Sequence, residues 1–110
     1  MRNLQRQVQF EIERGRLVRH VSRADGRGHV QRTTLAVLQE VCSLIEARPK
    51  DGATTDELWN ALADLPRTQI SVALDFLKER GCVVTRCRRN YAASNFLFED
   101  AMIEYHALEA

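Results

Sequence analysis

The sequence predicts a mainly α-helical protein with one small β-hairpin. Between positions 35 and 77 the apolar residues recur every three or four positions, which is the spacing of a buried helix face. A glycine at position 81 then precedes a short run rich in valine, as expected for a strand. We therefore expect three units: a basic N-terminal arm over 1–32, a helical domain with a hairpin over 33–94, and a C-terminal helix over 95–110.

The first two helices are marked by their N-terminal caps. Thr33 or Thr34 can accept a hydrogen bond from the first turn of the first helix. Thr54 and Glu57 have the spacing of a capping box, which predicts a second helix over about 55–63. The apolar faces of the two helices would hold Leu35, Leu38, Val41, Cys42, Ile45, Leu58 and Leu62.

A third helix follows the break at residues 64–66, because proline is tolerated in the first turn of a helix. Gly81 ends this helix, since glycine adopts the left-handed conformation of a helix C-terminus without steric cost. Residues 82–87 then form a strand, 88–90 a turn and 91–93 a return strand. The inner face of the third helix would hold Ile70, Ala73, Leu74 and Leu77.

The N-terminal arm can be interpreted in two ways. Val8, Phe10 and Ile12 alternate as in a strand, whereas Leu4, Val8 and Ile12 share one face of a helix. We favour a helix over about 3–14. The arm would then either follow DNA, as basic arms do, or pack as an additional helix at a dimer interface, and both alternatives remain open.

The order of capped helix, break, helix, glycine and hairpin resembles the winged helix-turn-helix domain. The resemblance covers residues 33–94 and is carried by Thr54-Thr-Asp-Glu-Leu58 and by the run from Pro66 to Val84. These segments are similar to the second and third helices and the first wing strand of MarR-like and ArsR-like bacterial repressors. In such repressors the third helix enters the major groove, and the wing contacts the DNA backbone or the minor groove.

The outward residues near the start of the third helix include no acid. Arginine can bind guanine and glutamine can bind adenine through two hydrogen bonds each, while hydroxyl groups reach phosphates. The resemblance and this chemistry together predict DNA contacts from Arg67, Thr68, Gln69, Ser71 and Val72 of the helix, and from Arg86, Arg88 and Arg89 of the hairpin.

The charge distribution is uneven although the net charge is only +1. Residues 1–32 contain eight arginines against three acids, and residues 81–94 contain three arginines and no acid. The last segment, 95–110, contains four acids and no base, so we do not expect it to lie on DNA. Two basic segments in a weakly charged chain favour positive charge on particular surfaces.

The C-terminal helix carries an apolar stripe that a free surface helix would not bear. In the repressors that the chain resembles, terminal helices build a two-fold homodimer. We therefore expect a homodimer through this helix, the alternative being a helix folded back on its own domain. The stripe consists of Leu97, Phe98, Ala101, Met102, Tyr105 and Leu108.

No metal site, cofactor or catalytic constellation is predicted, so the protein is not expected to be an enzyme. The three cysteines form no C-x-x-C pair, and the three histidines lack the spacing of metal ligands. Cys42 lies on an apolar helix face and is expected in the core. Cys87 stands between two arginines, which leaves a thiol-responsive sensor as an alternative.

The expected function is that of a homodimeric transcriptional regulator that binds specific duplex DNA. The alternative is an adaptor that uses the same domain to bind another protein in a larger complex. The sequence identifies no small-molecule effector. No apolar run approaches the roughly 18 residues of a membrane span. No secretory signal is visible at the N-terminus, so we expect a cytoplasmic protein without a membrane partner.

The predicted core of the third helix can be tested with Leu74→Asp. An unpaired carboxylate in the core should cost several kcal/mol, which is comparable to the total free energy of unfolding of about 5–15 kcal/mol. The variant should lose its cooperative thermal transition in circular dichroism. A transition close to that of the wild type would show that Leu74 lies outside the core.

Overall fold

The computed structural model describes residues 6–109. None of the four helices in this range is long and apolar enough to cross a membrane. In chain order the elements are β1 (Arg6–Glu13), β2 (Arg16–Arg23), β3 (Gly28–Thr34), α1 (Leu35–Glu46), α2 (Thr55–Ala61), α3 (Arg67–Glu79), β4 (Val83–Arg86), β5 (Arg89–Ala92) and α4 (Leu97–Glu109).

The prediction of a mainly α-helical protein is wrong. The structure is 44% helix and 30% strand, and residues 6–34 form a three-stranded sheet rather than a basic arm. The helix predicted over 3–14 is a strand from residue 6 onward, and positions 3–5 lie outside the described residues. The strand is favoured because its alternation turns Val8, Phe10 and Ile12 to one side, whereas a helix would group only two of them.

The N-terminal sheet is an antiparallel meander in the order β1-β2-β3. Arg14 and Gly15 connect β1 to β2 with φ values of 51° and 77°, the left-handed backbone that a two-residue hairpin turn requires. Pairing of Phe10 with Arg19 and of Ile12 with Leu17 places these side chains on one face, which is the inner face. Phe10 and Leu17 on this face belong to the main hydrophobic core.

The inner face of the sheet packs against α3. The rings of Phe10 and Phe76 meet edge to face, with their centroids 5.4 Å apart. Beside them the buried guanidinium of Arg19 forms hydrogen bonds with the side chains of Asp75 and Gln31. α3 therefore contacts the sheet on one side, and it contacts α1 and α2 as well.

Several local predictions are confirmed. The hydroxyl of Thr34 accepts a hydrogen bond from the Val37 N–H at the start of α1. Thr54 and Glu57 form both hydrogen bonds of the capping box, with lengths of 3.0 and 3.1 Å. Gly81 follows α3 with a φ of 74°. These features need only neighbouring residues, which explains why the sequence alone predicts them.

The apolar stripe of the C-terminal helix, from which a homodimer contact is predicted, is largely used within the chain, as in the alternative of a helix folded back on its own domain. Leu97, Ala101 and Tyr105 are buried in the main core, and the Tyr105 hydroxyl donates a 2.9 Å hydrogen bond to the Gly15 carbonyl. The remaining stripe residues are half-buried and pack against this core, namely Phe98, Met102 and Leu108. α4 thus closes the core against α1 and β1.

Substitutions on the buried side of α4 should lower the free energy of unfolding more than substitutions on its exposed side. Tyr105→Ala removes a buried ring and should lower the free energy of unfolding by about 3–5 kcal/mol. Tyr105→Phe removes only the hydrogen bond, for about 1 kcal/mol. Ile103 is 65% exposed, so Ile103→Ala should cost less than about 0.5 kcal/mol. Urea denaturation measures all three, and equal effects of Tyr105→Ala and Ile103→Ala would contradict this packing.

Candidate nucleic-acid interface

The first turn of α3 remains exposed although the rest of the helix is largely covered. Arg67 and Thr68 are exposed, and the Arg67 guanidinium lies over the Trp59 ring of α2 at 4.8 Å from its centroid. Helix α3 has no acid in its first turn, and Pro66 at its N-cap provides no side-chain hydrogen bond. The backbone N–H groups of this turn are therefore not capped by a side chain of the N-cap residue.

The sheet covers part of the surface that the sequence assigned to DNA. Val72 is completely buried, so its prediction as an outward DNA-contacting residue is wrong. Gln69 and Ser71 are half-buried. The reason is that a helix packed on two sides presents a narrower exposed strip than the amphipathic helix predicted from one apolar face.

Lys78, which is not among the residues predicted to contact DNA, is exposed near the C-terminal end of α3. It follows Arg67 by eleven positions and Ser71 by seven, so all three lie on one side of the helix. Lys78 also lines a cleft of about 420 Å³ together with Thr85 and Arg88 of the hairpin. The helix periodicity could have identified it, but the position of the hairpin beside it depends on the tertiary fold.

The β4–β5 hairpin places two arginines at its exposed end. Cys87 and Arg88 form the turn with φ values of 51° and 66°, and both are exposed. Arg86 lies over the ring of Tyr91 on the opposite strand, 4.7 Å from the ring centroid. This stacking holds one guanidinium along the hairpin, while Arg88 projects from the turn.

The predicted phosphate contact from Arg89 is not supported, because its guanidinium is used within the chain. It donates a 3.0 Å hydrogen bond to the Glu57 carboxylate and a 3.2 Å hydrogen bond to the Asp51 carbonyl. Next to it, the Asn90 side chain donates to the Ala53 carbonyl at 2.9 Å. These contacts attach the hairpin to the N-terminal end of α2.

The carboxylate of Glu57 is stabilised in its charged form. The backbone N–H of Thr54 is the main cause that lowers its pKa, followed by the hydrogen bond from Arg89. Burial raises the pKa of Glu57, whereas the positive charges of Arg89 and Arg48 lower it further. The same pair raises the pKa of Arg89. Glu57 therefore caps α2 and holds the hairpin at the same time.

The acidic residues near the basic surface should repel phosphates less than the sequence indicates. Asp75 would repel phosphates, but it is paired with the buried Arg19 of β2. Asp56 lies at the cleft that contains Lys78 and Arg88, and no hydrogen bond or ion pair of Asp56 is found among the described residues. Lys78, Arg86 and Arg88 outnumber this carboxylate.

The cysteines and one histidine lie in three different environments. Cys42 is buried as predicted, and burial raises its pKa to about 12. Cys87 is exposed at the hairpin turn. On the outer face of the sheet, strand pairing brings His20 beside Glu11 and Glu13, with ligand atoms within 4.8 Å of one another. Sequence spacing could not show this group, because its members come from two strands.

No family model, curated protein or solved structure matches the chain significantly. The relation of residues 54–84 to MarR-like and ArsR-like repressors therefore remains a prediction from the sequence pattern.

The role of the Glu57 charge predicts a pH-dependent effect of Glu57→Gln. The lowered pKa means that the carboxylate stabilises the fold at neutral pH, and that this contribution is lost as the pH falls through the folded-state pKa. The variant should melt at a lower temperature than the wild type at pH 7. The difference should shrink below the ordinary glutamate pKa of about 4.3.

Glu40 provides the matched control, because it is exposed on α1 and no hydrogen bond or ion pair of Glu40 is found among the described residues. Glu40→Gln should change the melting temperature little at either pH. A Glu57→Gln difference that stays constant between pH 7 and acid would contradict the role of the charge.

Proposed function

We propose that this protein binds duplex DNA through a surface formed by α3 and the β4–β5 hairpin. The observation that carries the proposal is a set of four exposed basic groups between the acid-free first turn of α3 and the hairpin turn, namely Arg67, Lys78, Arg86 and Arg88. Together with the hydroxyl groups of Thr68, which is exposed, and Ser71, which is half-buried, they form what we name the α3–hairpin surface.

The chemistry of this surface suits phosphates and base edges. Arg67 can form two hydrogen bonds with guanine, and its stacking on Trp59 reduces the side-chain freedom that binding would remove. Thr68 and the uncapped N–H groups of the first turn favour a phosphate. Lys78 and Arg88 lie where they would neutralise further phosphates along the backbone.

The covered sides of α3 limit how the helix would meet DNA. Because the sheet buries Val72 and holds Asp75, only the N-terminal turn and one narrow strip of the helix are available. We infer that α3 approaches a major groove with its N-terminal end first, and that the hairpin follows the backbone. A role as a transcriptional regulator, as in the repressor families that residues 54–84 resemble, is part of this proposal.

A protein adaptor is the second candidate, and one observation favours it. Phe96, directly before α4, is 63% exposed, and Ile103 in α4, seven positions later, is 65% exposed. Large exposed apolar side chains at the start and in the middle of a helix can contact another protein. This side of α4 is separate from the α3–hairpin surface. Substituting Phe96 and Ile103 would then abolish partner binding, whereas Arg67→Ala would leave it unchanged.

DNA binding should depend strongly on salt. Fluorescence anisotropy with duplexes selected from a random pool should show affinity falling steeply between low and physiological salt. Arg88→Ala should weaken all duplexes similarly and reduce the slope of log K against log salt by about 0.9. Arg67→Ala should cost about 1–3 kcal/mol on the selected duplex and less on random DNA.

Arg14→Ala is the matched control, because Arg14 is an exposed arginine at the β1–β2 turn, outside the α3–hairpin surface. Its affinity and salt slope should equal those of the wild type. The proposal fails if the salt titration is flat, or if Arg14→Ala reduces affinity as much as Arg67→Ala.

A further inference from the structure

The outer edge of strand β1 is available for pairing. β1 is eight residues long and lies at one end of the β1-β2-β3 sheet. Within residues 6–109, β2 is the only strand that pairs with it. An antiparallel strand directs about half of its backbone groups to each side, so β1 presents a row of N–H and C=O groups at this edge.

β1 lacks several of the features that usually protect an edge strand. Such strands commonly contain proline, lysine or a bulge. β1 has no proline or lysine, and its register with β2 is continuous from Gln7 to Glu13, which excludes a bulge there. The side chains on its inner face are the apolar Val8, Phe10 and Ile12.

The inner face of β1 is only partly covered by the chain itself. Phe10 is buried, but Val8 and Ile12 on either side of it are half-buried. A strand added next to β1 would cover the remaining apolar surface of both side chains, which favours association. The exposed edge and the half-covered apolar residues thus both indicate that an additional strand can pair with β1.

We propose that β1 pairs antiparallel with β1 of a second copy of this chain, across a two-fold axis at Phe10. Two three-stranded sheets would become one six-stranded sheet. A second copy is indicated because this register is self-complementary. Over residues 7–13, Val8 faces Ile12 of the second copy, Gln9 faces its Glu11, and Gln7 faces its Glu13, so in this range apolar meets apolar and each carboxylate meets an amide.

Neighbouring registers fit less well. An axis at Glu11 would place two carboxylates directly opposite each other, which is unfavourable between strands. An axis at Gln9 would place Ile12 opposite an arginine. A shift that moves Phe10 to the opposite face is excluded, because a one-residue slip turns every side chain to the other side of the sheet.

Sedimentation of the full chain without DNA tests the association, so its result is independent of the proposed DNA binding. The wild type should be dimeric at tens of micromolar. Gln9→Glu creates two facing pairs of like charge across the axis and should raise the dimer dissociation constant about tenfold. Ser22→Glu is the matched control: it adds the same charge to the outer face on the central strand, and should leave the constant unchanged.

Disulfide trapping tests the register. In a Cys87→Ser background, a mixture of Gln9→Cys and Glu11→Cys chains should give a mixed disulfide, because facing residues lie close enough to be bridged. Each variant alone should cross-link little. A monomeric wild type, or a dimer that Gln9→Glu does not weaken, would overturn the proposal. Efficient self-cross-linking of Gln9→Cys alone would overturn the axis at Phe10.

Discussion

The N-terminal sheet packs on α3 through residues that lie far from the helix in sequence. The Phe10–Phe76 contact and the buried Arg19–Asp75 pair hold the sheet against the helix from 56 or more positions away in sequence. A buried guanidinium requires a partner, because an unpaired charge in a core is strongly destabilising. This packing buries Val72 and leaves α3 exposed only along one strip.

Pairing of arginines with carboxylates also determines which basic groups are available at the candidate surface. Arg19 and Arg89 are used to join elements, the first to α3 and the second to α2. The arginines that remain exposed near α3 are those whose neighbours are aromatic or solvent, namely Arg67, Arg86 and Arg88. An arginine cluster in a sequence therefore contains both structural and available groups, and only their partners distinguish them.

The positions of the apolar side chains indicate which element is available to contact a second copy of the chain. α4 uses its main stripe, centred on Tyr105, to complete the core of its own chain. Half-covered apolar groups next to unpaired backbone lie at the β1 edge, namely Val8 and Ile12. A two-fold pairing there would carry two α3–hairpin surfaces on one continuous sheet, and two linked surfaces raise the effective affinity for paired sites.

The local elements from Thr34 to Gly81 follow from the sequence alone, because caps, glycine turns and helix periodicity involve residues close in the chain. The sequence of β1 contains the alternation of a strand, but it also fits the spacing of a helix. Only the pairing of β1 with β2 shows which of the two forms. Which face of α3 stayed exposed, whether Arg89 was available, and what covered the α4 stripe were decided by tertiary contacts. Such contacts join residues far apart in sequence, and no local pattern specifies them.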